Sequence, residues 1–230
     1  MIVSHQYRYI FIKTAKTAGT SVEIALCAYC GPEDIITPIH PTDETMRSEL
    51  GVRGPQNCYA SASTYRPRDV GRLLAKRERK LVYHAHISAA ELRARIGAET
   101  FDGYYKFCIE RNPFDRIISS YYWRRGANDS DKSLHEFVAQ RADVPKKHGF
   151  DLYTIDGEVV VDRVLRYENL QAEVAEVADR LGFPSTPELP RTKVSHRSDR
   201  RPYQEVLTAA DRAIIEATYK DELELFDYRF

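Results

Sequence analysis

The sequence predicts an α/β protein of one domain, residues 1–230, with a central parallel sheet flanked by helices. Three observations carry that expectation. Short runs rich in β-branched and aromatic residues occur at 7–13 (YRYIFIK), 81–86 (LVYHAH) and 104–110 (YYKFCIE). Each is followed, after a short connection, by a helix-start signal, and repeated strand–loop–helix units of this kind build a parallel sheet covered on both faces. A chain of 230 residues, 43% of them hydrophobic, is also long enough to bury one core of the larger α/β size.

Taken in order, the first strand runs into a loop of small residues at 14–20. Thr20 and Glu23 have the spacing of a capping box, so a helix is expected from Thr20 to about Cys30, ended by Gly31 and Pro32. Residues 32–66 carry many Pro, Ser, Thr and Asn without a firm period and read as loops with short pieces. Residues 70–80 read as a short basic helix. After the second strand, Ser88 and Glu91 again have capping-box spacing, and that helix stops at Gly97. After the third strand, Pro113 suits the first turn of a helix reaching Tyr122. A helix is expected at 134–141. Asp156-Gly157 signals a hairpin turn between strands at 152–155 and 159–167. Helices at 172–181, closed by Gly182, and from Thr208 to about Leu223 complete the chain, with a basic loop at 191–201 between them.

Lysines and arginines equal aspartates and glutamates at 34 each, so no global field favours nucleic acid or an acidic surface, and any anion site must be local. The N-terminal stretch lacks a basic leader with an apolar core, and no run approaches the ~18 apolar residues of a membrane span; a soluble, cytoplasmic protein is expected. The four cysteines include one C-x-x-C pair, Cys27 and Cys30. With no second pair at metal-ligand spacing, and at a helix end where a thiolate gains nothing, they read as buried thiols, and no metal is expected.

Residues 13–21 (KTAKTAGTS) join a strand to a helix. Small residues let the backbone wrap an anion, so that N–H groups and the helix N-terminus face negative charge. Lys16 adds a mobile cation; Thr17, Ala18, Gly19, Thr20 and Ser21 supply backbone and hydroxyl donors. The loop is not the G-x-x-x-x-G-K-(S/T) of nucleoside triphosphatases, because the lysine precedes the glycine. After the third strand, Arg111 leaves the strand end and Ser119 sits about two helical turns further on. An arginine fork and a hydroxyl suit a phosphate monoester.

These two segments resemble those of sulfotransferases that use 3′-phosphoadenosine 5′-phosphosulfate (PAPS). IFIKTAKTAGTS is similar to their 5′-phosphosulfate loop, P-K-T-(G/A)-G-T-S after a hydrophobic strand, with Ala15 where proline is common. RNPFDRIISSYY is similar to their 3′-phosphate motif, R-(D/N)-P-x-x-R-x-x-S-x-Y. The YENL segment and the ending DELELFDYRF extend the likeness along most of the chain. The resemblance implies a P-loop-like sulfotransferase fold, PAPS as co-substrate, adenosine 3′,5′-bisphosphate as product and a hydroxyl-bearing acceptor. It also places a nucleotide-closing loop at 191–201, where Lys193 and Arg197 are the candidate contacts.

Transfer to a hydroxyl needs a base for the acceptor proton and a cation beside the leaving oxygen. Histidine suits the first because its pKa lies near working pH, and Lys16 suits the second. His84 and His86 lie two apart on the expected second strand and would share a face. VYHAH resembles the Y-H-G-H element of heparan sulfate 2-O-sulfotransferases, which assigns the base to His86, a helper role to His84 and a carbohydrate acceptor. Glu110, beside Arg111, is a weaker substitute base. His5, His40, His135, His148 and His196 have no supporting context and read as surface residues. Two rivals stay open: a nucleotide-dependent phosphoryl transferase, and a nucleotide-binding module without activity. The oligomeric state is left open.

Overall fold

The structure is a computed structural model that describes residues 1–125, 132–190 and 199–230. Its main sheet has strands β1 (Ile2–Ser4), β2 (Tyr9–Phe11), β3 (Ile35–Ile36), β4 (Tyr105–Glu110) and, after the small hairpin β5 (Thr154–Ile155) and β6 (Glu158–Val159), β7 (Arg163–Arg166). The order is β3-β1-β2-β4-β7. β2, β4 and β7 run parallel; β1 is antiparallel to both β2 and β3. The helices are α1 (Gly19–Leu26), α2 (Pro41–Glu49), α3 (Pro67–Lys76), α4 (Ala89–Ile96), α5 (Ala98–Gly103), α6 (Pro113–Arg125), α7 (Leu134–Arg141), α8 (Asp143–Lys147), α9 (Leu170–Leu181), α10 (Tyr203–Val206), α11 (Ala209–Thr218) and α12 (Lys220–Phe226).

The layered architecture follows from burial of both sheet faces. Along β2 and β4 successive side chains alternate between two cores, as an extended chain requires. Tyr9, Phe11, Phe107 and Ile109 pack with Val22 and Leu26 of α1 and Val174 and Val177 of α9. Ile10, Ile12 and Cys108 pack on the other face with Leu92 of α4, Phe101 of α5 and Tyr153. A third cluster ties α6 to α7 and α11 through Ile117, Phe137 and Ile215.

One expected strand is absent. Residues 81–86 form no ladder in the main sheet; Leu81 makes an isolated bridge to Tyr59 and the chain then turns. The amides of Val82 and Tyr83 both donate to the Cys58 carbonyl, and the Ile87 amide to that of His84, so the backbone donors are used in turns. The place beside β2 is filled instead by β1, antiparallel. The N-terminal capping box expected for α1 does not form either. Its N-cap is Ala18, and Glu23 reaches Lys13 Nζ at 2.7 Å and Arg47 Nη2 at 3.5 Å inside the core.

Other signals map closely. The hairpin turn has Asp156 at φ 52° and Gly157 at φ 85°, both left-handed, as a two-residue hairpin loop of this type requires, although the chain after β6 separates before β7 instead of continuing as one strand. Ser88 accepts from the Glu91 amide to cap α4, and Thr208 caps α11 in a full capping box with Asp211. All four cysteines are buried and unpaired by disulfides.

Candidate active site

The carboxyl ends of the parallel strands β2 and β4 open onto a cleft of about 450 Å³, where ligands of open α/β sheets are expected. Five side chains singled out in the sequence line it: Lys16, Thr20, His86, Arg111 and Ser119. They come from three places, namely the loop after β2, the turn before α4, and β4 with α6.

The loop owes its shape to two residues in the left-handed region, Lys16 at φ 65° and Ala18 at φ 59°, with Thr17 between them. Side chains adopt this region at a cost of roughly 1–2 kcal/mol each, so the surrounding bonds must hold it. They do so from both flanks. The Ala15 amide donates to the His148 carbonyl at 2.6 Å. Thr14 Oγ1 donates to the Ile109 carbonyl of β4, and the Thr17 hydroxyl pairs with Thr14 Oγ1 at 2.9 Å. Thr17 is therefore turned inward, and its hydroxyl tightens the loop. Ala18 and Gly19 line the cleft through the backbone at the start of α1; Ser21 is buried and is not part of the lining. The Lys16 ammonium lies 5.4 Å from the centre of the Trp123 ring, a cation–π distance that holds it toward α6.

Arg111 sits at the end of β4, 8% exposed. Its Nε and Nη2 donate to Asp115 Oδ2, its Nη1 donates to the Lys16 carbonyl at 2.9 Å, and its guanidinium lies over the Tyr167 ring at 4.1 Å. Among the described residues three of the five guanidinium donors are thus in use and two remain. Ser119 is two turns along α6 and faces the same cleft, with Ser120 beside it.

His86 is half-buried, and its Nδ1 lies 2.8 Å from the Lys13 carbonyl. A carbonyl only accepts, so Nδ1 carries the proton. Burial is the largest influence on the ring and pushes its pKa down from 6.5 to about 4; the hydrogen bond to Lys13 opposes this, while charge on Lys13 and His148 adds to it. The imidazole is therefore neutral near pH 7, with its lone pair on Nε2. That is the protonation and tautomer a proton acceptor needs.

The structure separates the two histidines. His84 is exposed, is not among the cleft residues, and its Nε2 faces Glu91 Oε2 at 3.4 Å. The same-face expectation depended on an extended strand that does not form. Glu110 is also withdrawn. It is wholly buried, bonded to Arg116 Nη1, to the Tyr153 hydroxyl at 2.7 Å and to the Arg111 amide. Lys193 and Arg197 lie outside the described residues.

Two histidines read as surface residues are exposed and also line the cleft. His148 follows α8 and meets His86 edge-on, ring centres 6.0 Å apart; His40 is at the N-cap of α2. Neither has a local sequence signal, because each reaches the site by packing of distant segments. Trp123 lines the cleft, whereas Tyr121, two residues before it, is buried in the core. Among the described residues no group of three or more His, Cys, Asp or Glu is placed to hold a metal ion, and no helix is long and apolar enough to cross a membrane.

Comparison with known proteins bears on what this cleft belongs to. A 97-residue stretch is 36% identical to an uncharacterized protein of Archaeoglobus fulgidus, covering 40% of this chain and 80% of that one. A crystal structure of a sulfotransferase from Alicyclobacillus acidocaldarius aligns over 91% of this chain and 94% of its own, at 20% identity and a TM-score of 0.37. The family model described as the sulfotransferase family matches residues 1–229, which is essentially the whole chain including both anion motifs and the turn that carries His86; the chain belongs to the sulfotransferase family.

Proposed function

We propose that this protein is a PAPS-dependent O-sulfotransferase with His86 as the base and a carbohydrate hydroxyl as acceptor. The observation that carries the reading is the meeting of three chemistries in one cleft: a strained loop with a lysine, an arginine and serine eight residues apart, and a neutral histidine whose Nδ1 is bonded to the Lys13 carbonyl, which leaves the lone pair on Nε2. In this reading the loop of residues 16–20 and the start of α1 hold the 5′-phosphosulfate. The two spare donors of Arg111, with Ser119, hold the 3′-phosphate.

The acceptor oxygen forms a new bond to sulfur as the bond from sulfur to the 5′-phosphate oxygen breaks. The acceptor proton passes to His86 Nε2, and the departing oxygen gathers charge beside the Lys16 ammonium. His148 and Trp123 border the same space; Trp123, 42% exposed, offers the kind of flat apolar face on which a sugar ring can rest. His84 serves this arrangement through its backbone, its carbonyl closing the turn that aims His86.

The test is transfer of ³⁵S from labelled PAPS to a panel of glycans and simple alcohols by wild type and His86→Ala. A base contributes typically about 10²- to 10⁴-fold, so the variant should lose that much in kcat while binding adenosine 3′,5′-bisphosphate within about threefold of wild type. No transfer to any panel member, or a His86→Ala rate near normal, would remove the acceptor class or the base respectively.

A further inference from the structure

Helix α3 is exposed along nearly its whole length, and its makeup is unusual for a chain of zero net charge. Residues 66–80 hold seven lysines and arginines against two acids. No residue of α3 is buried. Val70, Leu73 and Leu74 lie at i, i+3 and i+4 and share one face; Arg68, Arg72 and Lys76 lie at i, i+4 and i+8 and share the opposite one. The apolar face has little to pack against: Leu74 is 78% exposed and Val70 42%. Of the seven large apolar side chains exposed among the described residues, two (Val70 and Leu74) fall in this segment and a third, Leu81, directly follows it.

The segment is also held out from the body deliberately. It leaves and rejoins at a narrow neck, where Tyr59 bridges Leu81 and the Ala60 amide donates to the Lys80 carbonyl at 2.8 Å. Pro67 opens the helix and Arg77, at φ 56°, closes it, so its ends are set by its own sequence and not by packing. The acids it contains are used locally. Asp69 pairs with Lys80 at 3.1 Å in a half-buried contact, and Glu78 with Arg72 at 3.0 Å in an exposed one that a competing anion can displace.

We propose that α3 docks this protein on the surface of a bilayer carrying anionic headgroups. A soluble polyanion would use the arginines and leave Leu74 and Val70 in water. An anionic bilayer surface uses both faces, the apolar side chains entering the acyl boundary and the basic ones reaching the headgroups. The proposal needs neither donor nor acceptor and stands apart from the sulfuryl-transfer reading.

The test is co-sedimentation of the full chain with vesicles of phosphatidylcholine alone and of phosphatidylcholine with phosphatidylglycerol. Wild type should pellet with the second and not the first. Val70→Ser with Leu74→Ser should weaken partitioning at least about tenfold, since two exposed aliphatic side chains lose their burial. Arg68→Gln with Lys76→Gln should weaken it about fivefold per charge removed. Both variants should keep the wild-type circular dichroism and melting temperature, because none of these side chains packs in a core. Wild type remaining in solution with both vesicles overturns the proposal. So does undiminished vesicle binding by the serine variant while heparin retention falls in the glutamine variant, which would assign α3 to a soluble polyanion. A wild-type dimer that the serine variant dissociates would overturn it in favour of a second copy of the chain.

Discussion

The neutral state of His86 makes a prediction about stability that needs no substrate. The imidazole has its ordinary pKa of about 6.5 in the unfolded chain and about 4 in the fold. Between those values the unfolded state binds a proton that the folded state refuses, so stability falls as pH falls. The loss is absent above about pH 7 and complete below about pH 4; going from about pH 7.5 to about pH 4.5 it comes to roughly 2.5 kcal/mol from this residue alone. His86→Asn isolates it, because an asparagine amide can still donate to the Lys13 carbonyl and does not titrate. Urea unfolding of wild type and variant at both pH values gives a double difference in which all shared carboxylates cancel. Wild type should lose about 2.5 kcal/mol more than His86→Asn on acidification, or about 5–10 °C in Tm for a chain of this size. A wild-type-minus-variant difference that is the same at both pH values would refute the claim that the fold keeps this ring neutral. The same ring sets the acid limb of activity. The free-enzyme limb in kcat/KM should lie near pH 4, below the pH 6–7 of an unperturbed histidine.

Three further outcomes follow from the site and its supports. Lys16→Ala should lower turnover more than it weakens adenosine 3′,5′-bisphosphate binding, measured by radiometric assay and calorimetry, because its charge is most useful beside the departing oxygen. Adenosine 3′,5′-bisphosphate should bind well above AMP by calorimetry, and Arg111→Ala should erase the difference; equal wild-type affinities would remove Arg111 and Ser119 as the 3′-phosphate site. Arg116→Met should destabilise the protein by about 3–5 kcal/mol in urea, since it strands Glu110 and Glu222, both fully buried against the guanidinium.

What was legible in the sequence is what one strand–loop–helix unit fixes by itself. The loop after β2 and the step from Arg111 to Ser119 each lie within such a unit, so spacing alone sets their geometry. The capped helices α4 and α11 and the Asp156-Gly157 hairpin are local in the same way. The reading at 81–86 failed because β-rich composition does not say where backbone donors go; here Cys58 takes two of them and a turn follows. His86 nevertheless reached the cleft, through a bond to Lys13 that no strand pattern encodes. His40 and His148 were illegible for the complementary reason. Nothing near them in sequence is unusual, and only the packing of α2 and α8 around the loop brings them in. Glu23 shows the limit of spacing rules: its interval from Thr20 fits a cap, yet a buried lysine and arginine compete for it and prevail.

The two left-handed residues of the loop after β2 also set which sequences can replace it. At position 18 glycine is free of the penalty that alanine bears, so Ala18→Gly relaxes the backbone. A valine, isoleucine or threonine there would add branching at Cβ to a conformation such residues almost never adopt. Thr17, between them with ordinary φ, is bound instead by its hydroxyl to Thr14, so serine is the nearest substitute and glycine is not. Variation along the loop is thereby filtered residue by residue: by backbone shape at 18, by a buried hydroxyl at 17, and by both shape and charge at 16. Position 16 is the most restricted of the three, because a lysine there must sustain the same twist that glycine would accept freely while keeping its ammonium in the cleft.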